Sequence, residues 1–125
     1  EAKIESGSID QTVLDAINDV RARGYGTVRS DVANYPEVTT NSQSELRAIV
    51  RRERRVELCF EGDMRLMDIR RWEIAPTVLN GPVMGVNGRT LETRVFEAPK
   101  HYVWPIPQKE IDRVGADLLP QNTGY

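Results

Sequence analysis

Cysteine occurs once in the chain, at Cys59. That excludes an internal disulfide and a Cys-rich zinc site. Histidine also occurs once, at His101, which leaves little from which to build a His-based metal centre or a catalytic dyad. A basic excess is missing too. With 17 Lys and Arg against 19 Asp and Glu, the formal net charge is −2, which weighs against a nucleic-acid binder. Lysine itself is scarce and nearly all the cations are arginine. Arginine forms bidentate pairs with carboxylates and tolerates burial better, so the choice favours internal ion pairs over a solvated charged coat. The sequence contains no apolar run long enough to span a membrane, no signal peptide and no lipidation motif. Its 125 residues amount to one domain with a modest core. The first residue is Glu, so the chain is expected to have been processed or cut from something longer.

The most informative stretch runs from Ser42 to Trp72. Ser42 followed three residues later by Glu45 has the form of a capping box. Leu46, Ile49, Val50, Val56 and Phe60 then recur at helical spacing, which predicts a helix over 44–61. Glu53 and Glu57 fall in the middle of that apolar stripe, where an unpaired carboxylate is costly. Arginines surround them in sequence, and Arg21, Arg23, Arg65 and Arg71 are the expected partners. Gly62 should end the helix and Asp63 should cap a second one, 64–72, that is apolar almost all round. Within it Asp68 and Arg71 are spaced to pair.

Upstream, Ser8 with Gln11 offers another capping box. Val13, Ile17 and Val20 define the buried face of a helix ending at Arg23–Gly24. Residues 25–40 have no periodicity and read as loop. Residues 8–75 are therefore expected to form an antiparallel helical hairpin with one added helix. Residues 76–125 are expected to be loop-rich. Val86–Asn87–Gly88–Arg89 suits a tight turn between two short strands. Pro105 and Pro107 force an extended path, a short helix follows over 108–113, and the tail 118–125 is extended. The fold class is mainly α with little β.

Three blocks, LDAINDVRARG, RRERRVELCFEGDMRLMDIRRW and YVWPIPQKEIDRVGADLLPQNTGY, resemble in order the C-terminal part of SusD/RagB-type proteins. These belong to the outer-membrane glycan-uptake systems of Bacteroidetes. The resemblance covers nearly the whole chain and implies that residues 1–125 are a C-terminal segment on a scaffold of tetratricopeptide-like helices. It implies a lipid-anchored cell-surface lipoprotein that binds oligosaccharide and passes it to a SusC-like TonB-dependent transporter. It implies no enzymatic activity, no cofactor, no nucleic acid, and membrane attachment only through a lipid anchor outside this segment. The alternative is a helical scaffold that docks a protein partner without binding sugar itself.

Arg21, Arg23, Glu53, Glu57, Arg54 and Asp68 contain the residue types of an acid/base or metal site. Helix-borne Glu pairs in metal sites are normally joined by His, and His101 stands before an extended segment. The expected reading is a structural ion-pair network of Arg21, Arg23, Glu53, Glu57, Arg65, Asp68 and Arg71, with no catalytic and no metal-binding residues. For sugar contacts, Tyr25 and Tyr35 in the loop are the candidates, while Trp72 and Trp104 are assigned to the core. Cys59 is assigned to packing.

Overall fold

In the computed structural model, which describes residues 1–125, the chain divides into two units, Glu1–Glu61 and Gly62–Tyr125. The first is built from α1 (Ala2–Glu5), α2 (Gln11–Gly24) and α3 (Gln43–Glu57). Asp10 rather than Ser8 caps α2, its side chain accepting from the Thr12 amide at 3.0 Å. Ser42 caps α3 as the sequence suggests, accepting from Glu45 N at 3.4 Å. The reciprocal half of that box is relayed. Glu45 bonds the Thr40 hydroxyl, and Thr40 Oγ1 accepts from Ser42 N at 3.2 Å.

Ile4, Val13, Leu14, Ile17, Val38 and Leu46 form the core of this unit, with Ile9, Ile49 and Val50 packed against it. The expected antiparallel hairpin is not what forms. Gln43 at the start of α3 donates to Ile4 O, and Arg47 grips Glu5 through Nε and Nη2, so α3 begins beside α1. Lys3 of α1 in turn reaches Asp10 and Thr12 at the start of α2. At the other end Arg21 meets Glu53 and Arg23 meets Glu57, in step. The two long helices therefore run the same way. The connection over 25–42 makes this possible. An extended chain advances about 3.3 Å per residue, ample to return along the roughly 21 Å of a 14-residue helix.

That connection is anchored by Asn18. This buried side chain donates to Val38 O at 3.0 Å and accepts from Val38 N at 2.8 Å, so an amide takes the place of a missing β-partner. α3 is shorter than expected, stopping at Glu57. Phe60 adopts a left-handed conformation (φ 66°) before Gly62 is reached, which turns its ring fully into solvent and leaves Val56 exposed. Cys59 is exposed rather than packed.

The second unit contains α4 (Met64–Arg71), α5 (Ala75–Leu79), a hairpin of β1 (Gly81–Met84) and β2 (Thr90–Arg94), a 3-10 turn over Lys100–Tyr102, and α6 (Gln108–Val114). Asp63 makes no side-chain cap on α4. α4 is not enclosed as its composition suggests: Asp68 and Ile69 are buried, while Met64, Leu66 and Met67 are exposed. α5 falls where turn structure was expected, with Pro76 in its first turn. The hairpin forms around Asn87–Gly88. Gly88 has φ 74°, a conformation that glycine adopts without penalty, and Gly85 N donates to Arg89 O at 2.8 Å.

Two further amide clamps hold this unit. Asn80 takes both the N–H and C=O of Phe96. Gln121 does the same for Ile106, accepting from its N–H at 2.7 Å and donating to its C=O at 2.8 Å. The extended tail is thus laced to the Trp–Pro–Ile–Pro segment by side chains.

The cap of α2 carries a pH prediction. The Lys3 ammonium, with help from the Thr12 hydroxyl and amide, holds the Asp10 carboxyl down to about 2 from its ordinary 3.8. Because the folded pKa is depressed, the contribution is fully present above pH 3.8 and is lost as pH falls through about 2. An NMR titration should find Asp10 protonating near pH 2, and Lys3→Ala should move it up toward 3.8.

Candidate functional site

Within residues 1–125 Trp104 is not enclosed. Its side chain stands 73% exposed, and the Arg70 guanidinium lies over the ring at 5.4 Å from its centroid. Pro105 follows it and restricts its backbone to the extended region. Asn122 Nδ2 donates to Trp104 O at 2.6 Å, and the neighbouring Gln121 clamp fixes Ile106 two residues on. Tyr125 donates its hydroxyl to Val103 O at 3.1 Å. The Lys100 ammonium lies 5.2 Å from the Tyr125 ring centroid. Gly124 has φ 96°, which favours glycine, and a Cβ there would press on the Lys100 side chain at 3.0 Å. The result is an aromatic ledge on an immobilised backbone, rimmed by cations. Aromatic rings with an open face and a polar neighbour are suited to groups that present both an apolar face and polar edges.

The loop candidates fare differently. Tyr35 is 5% exposed and donates to Arg29 O at 3.0 Å, so its ring is a packing element and cannot receive a ligand. Tyr25, at the C-terminus of α2, is exposed. Beyond it the loop is braced by Asp31, which accepts from Thr27 and Asn34, and by Arg29, which spans Asp15 and Asp19. Trp72 is half-buried, with the Arg71 guanidinium 5.1 Å from its ring centroid.

Arg21, Arg23, Glu53, Glu57, Asp68 and Arg71 meet one another as ion pairs. Arg21 gives Nε and Nη2 to Glu53 Oε1 at 3.0 and 2.8 Å, and Nη1 to Pro36 O at 2.6 Å. Arg23 pairs with Glu57. The side chains of Glu53 and Glu57 retain 21% and 33% exposure, more than the sequence pattern suggests, because α3 ends beside them. Arg71 pairs along α4 with buried Asp68 at 2.9 Å. Arg65 sits half-buried on the first turn of α4. No group of three or more His, Cys, Asp or Glu side chains is placed to hold a metal ion. His101 Nδ1 accepts from Glu97 N at 2.9 Å while its ring packs edge-on to Phe96.

The model of the SusD family matches residues 1–125. The chain belongs to the SusD family. A curated SusD-like relative, SusD-like protein P2 of Formosa agariphila, is 37% identical over 84 residues, which is 66% of this chain and 15% of that protein. The crystal structure of a SusD-like protein from Bacteroides fragilis NCTC 9343 superposes with a TM-score of 0.70 at 30% identity, over 99% of this chain and 23% of that one. This SusD-family chain is thus similar to under a quarter of the length of these relatives. The mainly helical fold agrees with that of the Bacteroides fragilis protein. Of the ledge residues, Trp104 and Tyr125 fall in the third of the blocks that carry the resemblance and Arg70 in the second.

The sequence missed Trp104 because the residue before a proline in an apolar run looks like core. Gln121 and Asn122 clamp Ile106 and the Trp104 carbonyl, but nothing in the sequence says which backbone groups they meet. Gln121→Ala should release both bonds to Ile106, costing about 1–3 kcal/mol. Hydrogen exchange at the Ile106 amide should accelerate markedly if the clamp is what protects it.

Proposed function

We propose that this protein is the glycan-binding component of an outer-membrane nutrient-uptake system. It captures oligosaccharide at the cell surface and passes it to a SusC-like TonB-dependent transporter. The observation that carries this reading is membership of the SusD family over all 125 residues. The protein works by binding and not by catalysis, without a cofactor. No helix here is long and apolar enough to cross a membrane, and on this reading the attachment is a lipid anchor outside these residues. Within the chain, Trp104 and Tyr25 supply aromatic faces for sugar rings, Trp104 being the better held of the two.

The intact source protein, tested on a glycan array, should bind a discrete set of oligosaccharides, and Trp104→Ala should weaken that binding by about ten-fold. Binding to no glycan would overturn the reading. A second reading, a scaffold that docks a protein partner, draws on a different feature. A cavity of about 490 Å³ between α1, α2 and α3 is lined by apolar Ile4, Val13, Ile17, Val20, Val50 and Leu58 together with charged side chains such as Lys3, Glu53 and Arg54. Retained capture of the transporter after loss of all glycan binding would favour that alternative.

A further inference from the structure

Arg70 differs from the arginines of the ion-pair network. Arg21, Arg23, Arg29, Arg47 and Arg71 each face a carboxylate within 4.0 Å. Arg70 has none, and its contact is the Trp104 ring. Its Nε is buried without a hydrogen-bond partner. A cation held partly out of water without a counter-charge is costly to keep. In a chain with 19 acidic residues to draw on, a carboxylate opposite Arg70 would have been easy to supply. A few residues away on the same ledge, Lys100 lies over Tyr125, and its ion pair with Glu97 is loose at 3.9 Å. Val103 and Trp104, consecutive residues, thus tie together two aromatic–cation pairs.

We propose that this ledge is a subsite for an anionic sugar residue, with Trp104 stacking on the ring face and Arg70 receiving the carboxylate or sulfate at its edge. The inference rests on the glycan-binding reading and narrows its substrate class to acidic glycans. The guanidinium is suited to the task. Its planar fork binds a carboxylate or sulfate through two parallel hydrogen bonds, and charge-assisted bonds of that kind are among the stronger polar contacts. With its face over Trp104 and Nε buried, the guanidinium has its Nη1–Nη2 end left to meet the anion. An uncharged glycan would engage Trp104 and leave Arg70 without a partner. Discrimination against it follows from the same cost that makes any unpaired buried cation unfavourable.

The test uses the intact source protein in affinity electrophoresis and titration calorimetry. The probes are polygalacturonate and dextran sulfate as the carboxylated and sulfated arms, with unmodified dextran and laminarin as uncharged ones. The expected result is binding to at least one acidic polymer, weakened by about ten-fold or more in Arg70→Gln and in Trp104→Ala. Raising salt from about 50 to about 500 mM should weaken the wild type and leave Arg70→Gln little changed. Arg70→Lys should restore part of the affinity. Trp104 is exposed, so its variant keeps the test decisive if Arg70→Gln misfolds. Acidic polymers binding equally well to Arg70→Gln and wild type would overturn the proposal, as would binding of an acidic peptide in their place. Binding of uncharged glycans alone would overturn it while leaving the glycan-binding reading intact. Binding of no glycan at all would remove both.

Discussion

Asn18→Ala is expected to be among the most damaging single substitutions in the first unit, costing about 2–4 kcal/mol. The side chain is buried and serves both backbone groups of Val38, itself a core residue. Truncation strands a buried N–H and a buried C=O of Val38, each worth about 1–3 kcal/mol, and opens a small cavity. Chemical denaturation of the intact protein measures it directly. The Arg21–Glu53 pair is the natural comparison. The guanidinium makes three hydrogen bonds, two to Glu53 and one to Pro36 O, yet both side chains of the pair keep some contact with water. Glu53→Ala should therefore cost less than a fully buried pair would, about 1–3 kcal/mol. Glu57→Ala should cost under about 1 kcal/mol, since Arg23 is largely exposed. An Asn18→Ala variant as stable as wild type would show that the loop holds its place by other means.

Residues 1–125 prepared alone are expected to self-associate and to bind glycan poorly. Phe60 and Val56 in the first unit, and Met64, Leu66, Met67 and Leu118 in the second, are large apolar side chains in solvent. Patches of this kind ordinarily meet a partner surface. The similar proteins have several times more chain with which to cover them, since the matched stretches make up 15% and 23% of their lengths. Light scattering on the purified segment should report oligomers or aggregate. A monodisperse monomer that binds glycan at full strength would show that the segment is self-sufficient.

Helix existence was legible in the sequence because apolar periodicity and caps are local signals. α2, α3, α4 and α6 lie where Val13–Ile17, Leu46–Val50, Met64–Ile69 and Ile111 place them. Asn87–Gly88 likewise announces the hairpin. The direction of α3 relative to α2 was not legible. It depends on where a loop without periodicity ends, and that is decided by Asn18 recognising Val38 twenty residues away. The same holds for Asn80 with Phe96 and Gln121 with Ile106: an amide side chain carries no sequence mark of the backbone it will clamp. The ledge was hidden for a related reason. Trp104 looks apolar and interior, and only the placement of Arg70 and the tail exposes it. Tyr35 erred in the opposite sense: a tyrosine in a polar loop looks available, but the loop folds over it and its hydroxyl finds Arg29 O.

The most direct test of the central claim is a glycan titration of the intact source protein alongside its Trp104→Ala variant, with the fold of each checked by circular dichroism. The account predicts saturable binding by the wild type and a loss of about ten-fold or more in a variant that remains folded. Equal affinity in the two proteins would contradict the assignment of the ledge, and absence of binding in both would contradict the function.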